Sequence, residues 1–203
     1  MKDRFISLWN RINAQGDAEQ EFTRLCEMYS NSERFYHTMT HVRNCLVELD
    51  SVRGLVQRFD SVEFAIWYHD AIYDSGVKDN EERSAQLAYD VCLAAQLPKE
   101  FAGRVSDLIL VTKHNVIPGR IDAEILIDVD LSILGKSPEE FDEYEKNIRR
   151  EYSEVPEDKF RQGRSTILQM FLNRTSVYLT DFFKAKYEMQ ARKNLQRSIN
   201  KLR

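Results

Sequence analysis

Apolar residues recur along most of the chain at intervals of three and four, the spacing of one face of an α-helix. Phe5, Leu8, Trp9 and Ile12 begin the series, Gly16 interrupts it, and Phe22, Leu25, Cys26 and Tyr29 resume it, so two amphipathic helices are predicted at the start. Beyond the polar stretch 30–34 a third helix is predicted from about His37, with Cys45, Leu46, Leu49 and Val52 on its apolar side. Ser61 is the expected N-cap of a strongly apolar helix through Val62, Ala65, Ile66 and Tyr68 that reaches His69-Asp70. A polar loop, 74–80, precedes a helix from about Glu81 to Gln96, and Pro98 both stops that helix and starts the next, which reaches Lys113. Pro118-Gly119 marks a turn. Ser137-Pro138-Glu139-Glu140 reads as N-cap, N1 proline and capping-box glutamate. Val155-Pro156 ends that helix, and from Asp158 the pattern is helical almost to Arg203, with Ile167, Leu168, Phe171, Leu172, Tyr178, Phe182, Phe183 and Tyr187 as buried positions.

One segment departs from the helical period. Ile127-Asp128-Val129-Asp130-Leu131-Ser132-Ile133 alternates as a strand does, yet no other segment offers it a sheet partner, so it is assigned to a helix. The choice bears on chemistry: on a strand Asp128 and Asp130 share a face, and on a helix they diverge by about 200°. The resulting expectation is an all-α, single-domain helical bundle over 1–203, in which the helices from about 158 to 203 pack on the core.

Composition narrows the functional classes. Lys and Arg total 29 against 33 Asp and Glu, a formal charge of −4, which lacks the basic footprint of a nucleic-acid binder. The one basic stretch, Lys184 to Arg203, mixes its cations with Glu188 and apolar positions, as a solvated helix face does. Seven glycines and four prolines are too few for a sandwich or barrel of tight turns. No apolar run approaches the ~20 residues of a membrane span, and the first residues interleave charges with apolar positions. Cys26, Cys45 and Cys92 form no C-x-x-C pair and read as reduced, mostly buried thiols. A cytoplasmic setting is the expectation. The aromatic stretch Tyr178 to Tyr187 suits either a core or a homodimer seam.

Four histidines carry all the imidazole chemistry available. Tyr36-His37-Thr38-Met39-Thr40-His41 places two of them four apart, which on a helix lets both address one point. Trp67-Tyr68-His69-Asp70 places a third beside a carboxylate in very apolar surroundings, where an unpaired charge is costly and a metal ion is a natural compensation. The combination, followed by an Asp-x-Asp in another apolar stretch, points to a metal site.

The order His, His-Asp, distant Asp resembles the HD superfamily of helical metal-dependent phosphohydrolases. More narrowly, R-F-Y-H-T-x-x-H-V (Arg34 to Val42), W-Y-H-D-A-I-Y-D (Trp67 to Asp74), N-E-E-R-S-A (Asn80 to Ala85), T-K-H (Thr112 to His114), I-D-V-D-L-S-I-L-G (Ile127 to Gly135), I-R-R-E-Y (Ile148 to Tyr152) and E-M-Q-A-R-K-N-L (Glu188 to Leu195) are similar to a bacterial group of HD proteins classed as phosphohydrolases by prediction. The resemblance offers two alignments for the first histidine. One makes His37 the ligand. The other, through the Y-H-N-x-x-H of cyclic-nucleotide phosphodiesterases, makes His41 the ligand and His37 the acid for the leaving oxygen, with Thr38 standing where those enzymes have asparagine. The second is adopted here. Likewise Val129-Asp130-Leu131-Ser132 is similar to their Ala-Asp-Leu-Ser, which implies Asp130 as ligand and Asp128 as its outer support.

The implied set is therefore His41, His69, Asp70 and Asp130 around one or two divalent ions, with Mn, Fe, Co, Ni, Zn and Mg as candidates. In such families Asp70 bridges to a second, mostly water-held ion. Lys113 and His114 could clamp a phosphate, or simply close a helix whose C-terminal dipole favours cations. Arg34, Glu81 and Ser84 carry the same two readings. Arg149, Arg164, Glu188, Arg192 and Asn194 are expected in ion pairs away from the site. The implied activity is hydrolysis of a small phosphorylated substrate, in the first place a nucleotide, by metal-activated water. The rival is an HD module that kept its ligands for regulatory binding of a metal or nucleotide and lost turnover.

Overall fold

The computed structural model describes residues 1–115 and 118–202, and all regular structure among them is helical. Ten α-helices follow in order: α1 (Lys2–Arg11), α2 (Ala18–Met28), α3 (Met39–Ser51), α4 (Phe59–Tyr68), α5 (Asn80–Ala94), α6 (Lys99–Leu110), α7 (Ile121–Asp130), α8 (Pro138–Glu151), α9 (Glu157–Leu172) and α10 (Asp181–Leu202). The alternating segment 127–133 is helical, ending α7 and entering a 3-10 helix at Leu131–Gly135. No helix among the described residues is long and apolar enough to cross a membrane. The chain divides into two compact units, Met1–Leu126 and Ile127–Arg203, each described by itself.

The first unit is built around α4. Every residue from Ser61 to Tyr68 is buried, as in a helix surrounded on all sides, and α1, α3, α5 and α6 pack against it. Its one buried acid, Glu63, is balanced by Arg4 and Arg11, each 2.6 Å away. Phe5 of α1 meets Trp67 edge-on with ring centroids 5.3 Å apart, and the Tyr29 hydroxyl donates to the Trp67 carbonyl at 3.0 Å. Ser61 lies inside α4 rather than at its cap, since Phe59 and Asp60 are already helical, and its hydroxyl accepts from Arg104 Nε at 3.2 Å. Cys45 and Cys92 are buried and Cys26 is half-buried, all as free thiols; burial pushes the Cys92 thiol up to about 12.

In the second unit α10 packs against α9 and the 3-10 helix at Leu131–Gly135. Ser137 and Glu140 form the expected capping box at the start of α8. The long C-terminal helix expected from Asp158 is broken between α9 and α10. Within that break the Glu188 carboxylate accepts from the N–H groups of Val177 and Tyr178 and from the Ser176 hydroxyl. Arg192 donates to the carbonyls of Leu172, Arg174 and Thr175. Ile167, expected in the core, is 45% exposed.

Burial alone would raise the Glu188 carboxyl, but the bonds from Val177, Ser176, Tyr178 and Arg192 outweigh it and hold the carboxyl below its ordinary value. A depressed carboxyl stabilises the fold above its unfolded pKa, and that contribution disappears as pH falls through the folded value. Glu188→Gln should therefore cost about 1–2 kcal/mol at pH 7, a figure held down because solvent reaches part of the group. Urea unfolding of both proteins checks this: the gap should close in acid below the ordinary carboxylate range, and a gap that persists there would refute the assignment.

Candidate metal centre

The central helix delivers His69 and Asp70 to the interior of the first unit. α4 ends at Tyr68, and His69 is its C-cap, where unpaired carbonyls and the helix dipole favour a cation. His69 Nδ1 lies 2.8 Å from the Ile66 carbonyl oxygen, which can only accept, so Nδ1 carries hydrogen. Its Nε2 is left facing inward, 3.0 Å from His41 Nε2 and 3.0 Å from Asp70 Oδ2. His41 Nε2 is 3.5 Å from the same carboxylate oxygen. Both imidazoles are buried, and the Asp70 side chain is 16% exposed.

That arrangement calls for a positive charge. A neutral His69 has its single proton on Nδ1, so Nε2 presents a lone pair to Asp70 Oδ2, an acceptor at 3.0 Å. A second proton on the ring or a metal ion must lie among these atoms. The spacing suits a metal. With bonds of about 2.05 Å from nitrogen and 2.1 Å from oxygen, the 3.0 Å and 3.5 Å separations correspond to angles of about 95° and 115° at the ion. Burial would raise the Asp70 carboxyl, but His69, His37 and His41 outweigh it and hold the carboxyl well below the usual carboxylate range.

Two side chains fix the backbone that carries this cluster. Arg34, buried, donates from Nη1 to the carbonyls of His37 at 3.1 Å and Asp70 at 2.6 Å, and from Nη2 to the Ala71 carbonyl at 2.8 Å. Its guanidinium also lies by the rings of Tyr29 and Tyr73. Ser84, fully buried on α5, accepts from the Ile72 N–H at 3.0 Å and donates to the Ile72 carbonyl at 3.1 Å. Three consecutive residues, 70 to 72, are thereby held from outside their own segment.

His37 is placed differently from the sequence expectation. Thr38 caps α3, accepting from the Thr40 N–H at 3.3 Å, so His37 precedes the helix and shares no helical face with His41. It stacks on Tyr73 with ring centroids 4.0 Å apart and remains half-exposed. The residue that does share the His41 face four positions on is Cys45, whose Sγ lies 3.7 Å from both ring nitrogens. Cys45, expected as an apolar helix position and a buried reduced thiol, is both, and H-x-x-x-C on a helix is also a ligand spacing. His41, Cys45 and His69 offer donor atoms within 4.8 Å of one another and could hold a metal ion.

The remaining expected residues lie on other elements. Lys113 pairs with Glu82, both on the surface, and Glu81 is half-buried at the start of α5. His114 follows a 3-10 helix in the left-handed conformation, φ 56°. Asp130 is the last residue of α7 and is part-buried. Asp128, fully buried, accepts from the Leu179 N–H at 2.7 Å and from the Thr180 N–H and hydroxyl at 2.7 and 2.6 Å, securing the approach to α10. Arg164 pairs with Glu145, and Arg149 with Glu157, matching the ion pairs expected of them. Asn194 instead donates to the carbonyls of Leu134 and Lys136, both at 2.9 Å.

No protein-family model, no curated protein and no solved structure matches the chain.

Proposed function

We propose that the chain is a metal-dependent phosphohydrolase acting on a small phosphate ester or anhydride, with nucleotides as the first substrate class. The observation that carries the reading is the convergence of His41 Nε2, His69 Nε2 and Asp70 Oδ2 within 3.5 Å of one another in the interior of the first unit. A bound divalent ion supplies Lewis acidity and a water acidified toward neutrality.

The chain's own residues do the rest. Asp70 balances the ion's charge, and the Ile66 carbonyl keeps His69 in the tautomer that presents Nε2. His37, half-exposed and held at its carbonyl by Arg34, is the proposed proton donor to the leaving oxygen. Lys113 is engaged with Glu82, so the proposal assigns it no part in binding phosphate.

Metal analysis of the purified protein should find divalent ion bound, and a panel of nucleoside mono-, di- and triphosphates, cyclic nucleotides and sugar phosphates should show release of phosphate or nucleoside that stops on chelation. Metal bound tightly with no turnover across that panel would instead make the protein a binding module.

A further inference from the structure

Cys45 lies within the first unit's cluster, and neither the HD doublet nor the distant aspartate accounts for it. Its side chain is buried, and α3 sets it one helical turn beyond His41. Its Sγ stands 3.7 Å from both ring nitrogens of His41, and the donor atoms of His41, Cys45 and His69 all lie within 4.8 Å of one another, a spacing that one thiophilic ion could span.

We propose that Cys45 is a thiolate donor to the metal held by His41, His69 and Asp70, so that the centre takes zinc, cobalt(II) or iron(II) in preference to magnesium or manganese. The inference rests on the metal-centre reading above and not on turnover. Soft sulfur selects thiophilic ions, whereas carboxylate and water suit magnesium and manganese. On binding, the S–H bond breaks heterolytically: the electron pair forms the sulfur–metal bond and the proton passes to bulk water. The buried thiolate is then neutralised by the ion, which removes the cost of an unpaired charge in that position.

The experiment loads the full chain with cobalt(II) and records its near-ultraviolet spectrum, beside Cys45→Ser and Cys45→Ala. The expected result is a thiolate-to-cobalt charge-transfer band in the native chain that both variants lack. Competition with a chromophoric chelator should show zinc affinity at least about tenfold weaker in the variants, with manganese affinity changed less than about twofold. Zinc loading should also release one proton more from the native chain than from Cys45→Ser. Cys45→Ser preserves size, and far-ultraviolet circular dichroism confirms that each variant is folded.

A cobalt-loaded native chain without the band, or variants with unaltered zinc affinity, overturns the proposal while leaving hydrolysis by the other ligands intact. A native chain that binds no cobalt overturns it together with the metal reading. A chain that shows the band and hydrolyses nothing supports Cys45 as donor and removes only the phosphohydrolase.

Discussion

Asp70→Asn should abolish the proposed metal binding and turnover while leaving the fold in place. Asparagine has the shape of aspartate, so the packing of the turn after α4 is kept. The native carboxylate faces His69 Nε2 at 3.0 Å and is held well below the usual carboxylate range by His69, His37 and His41, an attraction the neutral amide gives up. The metal-free variant should therefore unfold at a lower denaturant concentration than the metal-free native protein at neutral pH, and the difference should close in acid. The loaded proteins should differ by more, because a neutral amide ligand no longer balances the ion. Loss of outer supports costs metal sites about 10–100-fold in affinity, so removing a ligand's charge should cost at least about 100-fold. Turnover should fall by about a thousandfold or more, which corresponds to at least ~4 kcal/mol of lost transition-state stabilisation. Chelator competition, phosphate release and urea unfolding read the three effects separately. A folded Asp70→Asn protein that turns over at the native rate would end the phosphohydrolase reading.

The place of the doublet in the fold was legible because its signal is local: the apolar run before it forms the buried helix α4, which carries His69 into the interior. The helical class was legible for the same reason, since period and caps lie within each element, as the Ser137 and Glu140 box shows. What escaped were features set by partners distant in sequence. The break between α9 and α10 contains no proline or glycine. Its N–H groups are taken by Asp128, about fifty residues earlier, and by Glu188 from within the following helix, so no window around the break announces it. His37 was misplaced for a different reason. The four-residue spacing of two histidines suggests a shared helical face, whereas α3 begins two residues later, at Met39. Cys45 was hidden by its double character, since a buried thiol fits an apolar stripe as well as a ligand set.

Arg34 has a task in the scaffold, in line with the structural one of the two readings its motif left open. A guanidinium beside a proposed phosphohydrolase site invites a role in holding phosphate, yet its donors reach the carbonyls of His37, Asp70 and Ala71. It thereby ties the segment leading into α3, the helix of His41, to the turn after α4 that follows His69. Arg34→Ala would leave three carbonyls without that donor, and at about 1 kcal/mol or more for each such bond the fold should lose about 3–4 kcal/mol. Metal affinity should fall by about 10–100-fold as the ligands lose their relative placement. Arg34→Lys should recover only part of the stability and little of the affinity, because an ammonium is a point donor that cannot span carbonyls on two segments. Urea unfolding of the metal-free proteins and chelator titration of the loaded ones separate these outcomes. A variant with native stability and native metal affinity but no turnover would show that Arg34 serves the substrate and not the scaffold.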